Sequence, residues 1–74
     1  MAIFFRPSAP GYEKRLYNLE GFDEIYQDEV QIKLVKYKDE AATIRMIEYQ
    51  DEKMCHDDFI LILDTLRHRF KVIE

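Results

Sequence analysis

The sequence contains few of the residues that build disulfide, metal or turn-rich frameworks. Cys55 is its single cysteine, so one chain can form no intramolecular disulfide and no thiolate zinc site. A lone cysteine is typical of reducing compartments. Only two glycines and two prolines occur, while 47% of residues are hydrophobic and 14% aromatic, which is unlike a disordered composition. We therefore expect a single folded domain over residues 1–74.

Long hydrophobic segments are also missing. No apolar run is longer than the five residues of Phe59–Leu63, whereas roughly 20 are needed to span a bilayer. The N-terminal run Ala2–Phe5 is interrupted by Arg6 and Pro7 and is too short for a signal peptide. The sequence therefore predicts a soluble cytoplasmic protein with no membrane partner.

The sequence has fewer positive than negative side chains: fifteen Asp and Glu residues and eleven Lys and Arg residues give a net charge of −4. Proteins gain affinity for nucleic acid by neutralising phosphates with cations, so this total disfavours a non-specific nucleic-acid binder. A chain of this length buries only about 60% of the surface that its unfolded form exposes. Self-association would help such a small domain to complete its core.

The clearest periodicity is a pair of alternating apolar runs. Val30, Ile32 and Leu34 alternate with polar residues, and a second run containing Ile44 and Met46 follows a polar break. Two such runs predict a β-hairpin. The break lacks an Asn-Gly turn, which leaves the pairing register undetermined by one residue.

Two segments show helical periodicity instead. Tyr12, Leu16 and Leu19 follow i, i+4, i+7 spacing before Gly21, and a continuous apolar stripe with the same kind of spacing begins at Phe59. Gly21 is well placed to end the first helix. Either of two aspartates could cap the second helix; these are Asp57 and Asp58.

Together these segments predict a small α+β fold. The order is β-α-β-β-α-β, with strands at about residues 1–6, 29–38, 42–50 and 70–74, and helices at about residues 10–20 and 57–69. The acidic residues 23–29 are assigned to a connection. This order is typical of the ferredoxin-like arrangement, in which two helices cover one face of a single antiparallel sheet and leave the other face open.

Motifs of catalysis or cofactor binding are not evident. The sequence has no glycine-rich phosphate loop, G-x-S-x-G or H-E-x-x-H. The segment Met54–Asp58 contains Cys, His and Asp, which are common metal ligands, but is better interpreted as a loop entering a helix. Asp64 and His68 are spaced i, i+4 and predict a surface pair. We therefore expect no enzymatic activity, no cofactor and no metal site.

The outer face of the predicted hairpin is the leading candidate for binding. If Ile32, Leu34, Ile44 and Met46 face the helices, the opposite face is formed by Lys33, Val35, Tyr37, Arg45, Ile47 and Tyr49. Such a mixed apolar, aromatic and basic patch is typical of interaction surfaces, which predicts a protein partner or a homodimer. A stacking platform for single-stranded nucleic acid is an alternative, and so is an ordinary amphipathic sheet.

Negative charge concentrates on either side of the hairpin. The candidate acidic surface consists of Asp23, Glu24, Asp28, Glu29, Asp51 and Glu52. Carboxylates spaced like phosphates would mimic DNA and inhibit a nucleic-acid-handling enzyme, as some phage-type inhibitors do; solvated loops are the simpler interpretation. The sequence thus predicts a small interaction or regulatory protein first and an acidic inhibitor second.

Overall fold

The computed structural model of the protein describes residues 2–69, and only the backbone of Arg69. In chain order, the elements are β1 (Phe4–Phe5), β2 (Tyr17–Asn18), a 3-10 turn (Leu19–Gly21), β3 (Glu24–Asp28), β4 (Gln31–Lys38), β5 (Ala41–Glu48) and α1 (Glu52–Arg69). β1 and β2 form a two-stranded antiparallel sheet; β3, β4 and β5 form a three-stranded antiparallel sheet with β4 in the centre. α1 packs on one face of that sheet, over β3 and β4.

The predicted hairpin is confirmed, but the structure reverses the predicted facing of its second strand. Ile47 lies opposite Ile32, and both are fully buried, whereas Ile44 and Met46 are 55% and 46% exposed. Antiparallel partners share a face of the sheet, so Ile47 joins the core with Ile32. The reason is a two-residue turn at Asp39, whose φ of 57° is left-handed, followed by Glu40. A register change of one residue exchanges the faces of an entire strand.

The acidic segment at residues 23–29 is not a connection, because most of it forms β3. Ile25 and Tyr26 favour extended structure, and they pair with Leu34 and Lys33 of β4. A tight turn with Glu29 at a φ of 56° joins the two strands. Its carboxylates at the strand ends remain in solvent, so acidity did not prevent strand formation.

The predicted helix at residues 10–20 is wrong. Gly11 has a φ of 93°, outside the helical region, and the chain then forms turns, β2 and the 3-10 turn. The backbone N–H of Leu19 donates to the carbonyl of Ile3 (N···O 2.8 Å), which ties this segment to the N-terminal strand. Leu16, which was expected on the buried face, is 56% exposed. Tertiary backbone pairing outweighed a short helical period.

The α+β class is therefore confirmed at a coarse level, whereas a second helix and the ferredoxin-like topology are not. The predicted first strand shortens to Phe4–Phe5 and pairs with β2 rather than with the three-stranded sheet. The predicted strand at residues 70–74 lies outside the described residues. The predicted C-terminal helix is present, and it begins earlier than expected.

The early start of α1 has a local cause. Asp51 Oδ1 accepts a hydrogen bond from the backbone N–H of Met54 (2.7 Å), so Asp51 rather than Asp57 or Asp58 caps the helix. Glu52 follows in the first turn, where a carboxylate suits the positive end of the helix dipole. The helix therefore includes the segment that the sequence assigned to a loop.

A buried carboxylate connects α1 to the rest of the core. Asp58 is 8% exposed, and its Oδ2 accepts hydrogen bonds from the Tyr49 hydroxyl (2.6 Å) and from the backbone N–H of Ser8 (2.8 Å). Burial, and then the bond to Asp58, raise the pKa of the Tyr49 hydroxyl well above its usual value. A buried carboxylate is tolerated only while such donors satisfy it.

Removing the Tyr49 hydroxyl should destabilise the fold. Tyr49→Phe leaves Asp58 with one donor fewer in a buried site, so we expect the free energy of unfolding to fall by about 1–3 kcal/mol. Urea unfolding measures the change. Tyr37→Phe is the matched control, because the Tyr37 hydroxyl bonds an exposed carboxylate and its loss should cost less than about 0.5 kcal/mol. Equal losses in the two variants would contradict the role given to Asp58.

The same hydroxyl should produce an alkaline dependence of stability. An unfolded tyrosine ionises near pH 10, whereas the folded state retains the Tyr49 proton because its pKa is raised. Above about pH 10 the free energy of unfolding should therefore fall by up to about 1.4 kcal/mol per pH unit. Tyr49→Phe should remove this contribution and leave the slope near neutral pH unchanged. Superimposable slopes for the two proteins above pH 10 would refute the expectation.

Candidate functional site

The three-stranded sheet has one face toward α1 and an opposite face, which we call the open face. The alternation of side chains and the observed register place on it Glu24, Tyr26, Asp28, Gln31, Lys33, Val35, Tyr37, Ala42, Ile44, Met46 and Glu48. Tyr37, Ile44 and Met46 are among the most exposed large apolar residues of the described chain. The open face is thus an apolar surface in contact with solvent.

Polar contacts surround the apolar centre of the open face. Val35 is nearly fully buried although it lies outside the core cluster. Lys33 Nζ bonds Asp28 Oδ2 (2.9 Å) and lies 5.9 Å from the ring centroid of Tyr26. The hydrogen bond and the charge of Asp28 raise the pKa of Lys33, which remains a cation there.

A second polar contact borders the same face. The Tyr37 hydroxyl donates to Glu24 Oε2 (2.8 Å), and the Tyr37 backbone N–H donates to Asp23 Oδ2 (2.8 Å). The bond to Glu24 raises the pKa of Tyr37, so its hydroxyl stays protonated. An apolar centre with a polar rim is the usual anatomy of a protein interface.

The structure separates the six predicted interaction residues into two sets. Lys33, Val35 and Tyr37 lie together on the open face, as the sequence predicted. Ile47 and Tyr49 are instead buried in the core, and the two cannot contribute to an exposed patch. Arg45, the sixth predicted residue, also lies on the α1 side of the sheet, where it lines a groove.

Sequence reasoning missed the other large apolar or aromatic members of the open face, which are Tyr26, Ile44 and Met46. Tyr26 belongs to a segment assigned to a connection, and the other two were assigned to the core. The missing signal was the length of the turn. A two-residue turn places Lys38 opposite Ala41, and this pairing carries Ile44 and Met46 to the open face.

The predicted acidic surface is also divided. Asp28 and Glu29 lie at the β3–β4 turn, near the start of α1, whereas Asp23 and Glu24 lie at the opposite end of β3. Four of the six carboxylates accept hydrogen bonds from the chain itself; these are Asp23, Glu24, Asp28 and Asp51. Carboxylates committed to internal bonds are poorly arranged to imitate a run of phosphates.

The potential metal ligands of α1 point in different directions. Cys55 is fully buried, and burial raises the pKa of its thiol. His56 is exposed, with Nδ1 3.2 Å from Gln27 Oε1. Within residues 2–69, no group of three potential metal ligands is found. Asp64 and His68 form an exposed pair with 3.9 Å between Oδ2 and Nε2.

β5 has an open backbone edge beside the open face. The Tyr49 N–H donates to the Val30 carbonyl (2.8 Å), so odd-numbered residues of β5 bond β4 and even-numbered residues point away from it. The outward N–H of Glu48 donates to the Tyr12 hydroxyl (3.3 Å). In the part of the chain that the structure describes, no hydrogen-bond partner is found for the outward backbone N–H and C=O groups of Ala42, Ile44 and Met46.

No protein-family model, curated protein or solved structure matches this chain. Within residues 2–69, no helix combines the length and apolar character needed to cross a membrane.

Proposed function

We propose that this protein is a small interaction or regulatory protein that forms a homodimer through β5 and the adjoining open face. One observation carries the proposal: the residues of β5 whose outward backbone groups have no partner among residues 2–69 also carry its exposed apolar side chains. These residues are Ala42, Ile44 and Met46. An exposed edge strand of this kind is a template for pairing with another strand.

β5 is better suited to pairing than the other edge of the sheet. β3 has only five residues and ends in Glu24 and Asp28, whereas β5 has eight. Between Ala41 and Ile47, Arg45 is the single charged residue. Natural edge strands avoid association by being short, charged or covered, and β5 lacks most of these protections.

Ile44 lies at the centre of the part of β5 that is available for pairing. The Tyr12 hydroxyl occupies the outward N–H of Glu48, which leaves Ala41–Ile47 for pairing. A two-fold axis at Ile44 would place Ile44 opposite its own copy in an antiparallel pair that exchanges both backbone hydrogen bonds. Ala42 would then lie opposite Met46 of the second copy. The result is a continuous six-stranded sheet.

Charge favours the register with the two-fold axis at Ile44 over the register shifted by one residue. A two-fold axis at Ile44 pairs Arg45 with Thr43 of the second copy. A shift of the axis to Arg45 would pair two arginines directly, which is destabilising. Apolar cross-strand pairs on the open face contribute about 0.2–1 kcal/mol each. Such a contact is smaller than the roughly 1,000 Å² of stable interfaces, so we expect a reversible, concentration-dependent dimer.

Engineered cysteines test the contact and its register together. In the proposed dimer, the two Ile44 Cα atoms are about 5.5 Å apart, within the disulfide range of about 4.4–6.8 Å. Ile44→Cys should therefore form a disulfide-linked dimer under mild oxidation, as seen on non-reducing gels. Ala42→Cys should not, because its two copies lie about 13 Å apart along the strands. An equimolar mixture of Ala42→Cys and Met46→Cys should cross-link.

Sedimentation of the unmodified chain provides the independent measurement. It should show a monomer–dimer equilibrium that Ile44→Lys shifts to monomer. Ile60→Lys is the matched control, since Ile60 on α1 is similarly exposed, at 47%, and its replacement should leave the equilibrium unchanged. A monomer at millimolar concentration would reject the homodimer. A dimer in which Ala42→Cys cross-links as fast as Ile44→Cys would reject the β5 register.

A further inference from the structure

A groove lies on the α1 side of the sheet, opposite the open face. It consists of two adjoining cavities of about 370 and 360 Å³ that share Leu16, Tyr17 and Arg45 in their linings. One wall is the segment that follows Gly11, and the other is formed by β4 and β5. We call it the basic groove, because its lining includes four cations: Lys14, Arg15, Lys36 and Arg45.

Two elements bring these cations together. On the first wall, the N–H of Arg15 donates to the Tyr12 carbonyl (3.1 Å) in a turn that also positions Lys14. On the second wall, Lys36 lies opposite Thr43 and next to the Leu34–Arg45 pair, so both cations project from the same face. The segment that failed to form a helix therefore creates one side of the groove.

The groove is positive within an acidic protein. The chain has a net charge of −4, yet among residues 2–69 no carboxylate lines either cavity. Lys33 and Lys53 form ion pairs elsewhere, whereas among residues 2–69 no ion pair is found for the four groove cations. The nearby carboxylate of Glu13 accepts the Gly11 N–H (3.1 Å). Clefts lined by one sign of charge concentrate ligands of the opposite sign.

The remaining lining distinguishes between anionic ligands. Tyr17 is half-buried and Leu16 is 56% exposed, so the groove offers ring and aliphatic surface beside its cations. The Arg15 guanidinium lies 5.7 Å from the Tyr12 ring centroid, which adds a planar group. Single-stranded nucleic acid uses both kinds of group, because its phosphates need cations and its unpaired bases stack on rings and guanidinium planes. An acidic peptide would use only the cations.

We propose that the basic groove binds single-stranded nucleic acid, with its cations on the phosphates and its ring surface against the bases. The site shares Arg45 with the strand proposed for dimerisation, but one copy of the chain contains all of its residues, so binding does not require the dimer. Three of its four cations were not among the residues that the sequence singled out for nucleic acid. Tyr49, which the sequence placed on the same predicted binding face as Arg45, lies in the core instead.

The salt dependence of binding tests the proposal. A fluorescent oligothymidylate is titrated with the full chain, and anisotropy gives the dissociation constant at several salt concentrations. With four phosphates neutralised, the logarithm of the binding constant should fall against the logarithm of salt concentration with a slope of about −3. Arg45→Gln and Lys14→Gln should each weaken binding and reduce the slope by about 0.7.

Lys53→Gln is the matched control, because it makes the same change in net charge on α1, away from the groove. Its affinity and slope should equal those of the unaltered chain. No binding at low salt, or equal losses for Lys53→Gln and Arg45→Gln, would overturn the proposal. A polyglutamate peptide should compete weakly; competition equal to that of unlabelled oligothymidylate would identify an acidic protein segment as the ligand instead. Duplex DNA that binds as tightly as the single strand would exclude base stacking.

Discussion

One buried carboxylate joins three separate parts of this chain. Asp58 lies within α1, and its two donors come from different parts of the chain: the Ser8 backbone and the Tyr49 hydroxyl. A buried charge that loses its partners is strongly destabilising. The N-terminal segment, the end of β5 and α1 must therefore stay together, although no shared ladder of backbone hydrogen bonds joins all three.

The contact between Tyr49 and Asp58 agrees with the facing of β5 that its two-residue turn sets. Tyr49 must point toward α1 to meet Asp58, and strand alternation then places Ile47 on that side and Ile44 and Met46 on the other. Both sets are apolar, so hydrophobicity alone does not choose between them. The turn length and the polar partnership of Tyr49 with Asp58 select the same set, and they leave Ile44 exposed at the centre of an edge that has no partner strand among residues 2–69.

The elements that could be predicted from the sequence are those whose periodicity is long. The β4–β5 hairpin has two strands with alternating apolar residues, and α1 has at least two turns with apolar residues at helical spacing. The helical pattern from Tyr12 to Leu19 depends on only three positions, too few to compete with the backbone bond that Leu19 makes to Ile3. The facing of β5 required the length of its turn, and the groove required contacts between residues far apart in sequence. Both depend on tertiary structure, which the spacing of residue types along the sequence does not reveal.

The two proposed surfaces are connected through Arg45. Pairing of β5 about Ile44 would bring both copies of Arg45 to the α1 side of a common sheet, in diagonal positions about 7–8 Å apart. The two basic grooves would then face the same direction, and their like charges would oppose association. An anionic strand in the grooves would screen that repulsion, so each binding event should strengthen the other by the same factor. Arg45, the single charged residue between Ala41 and Ile47, would thus couple the edge of the sheet to its α1 side.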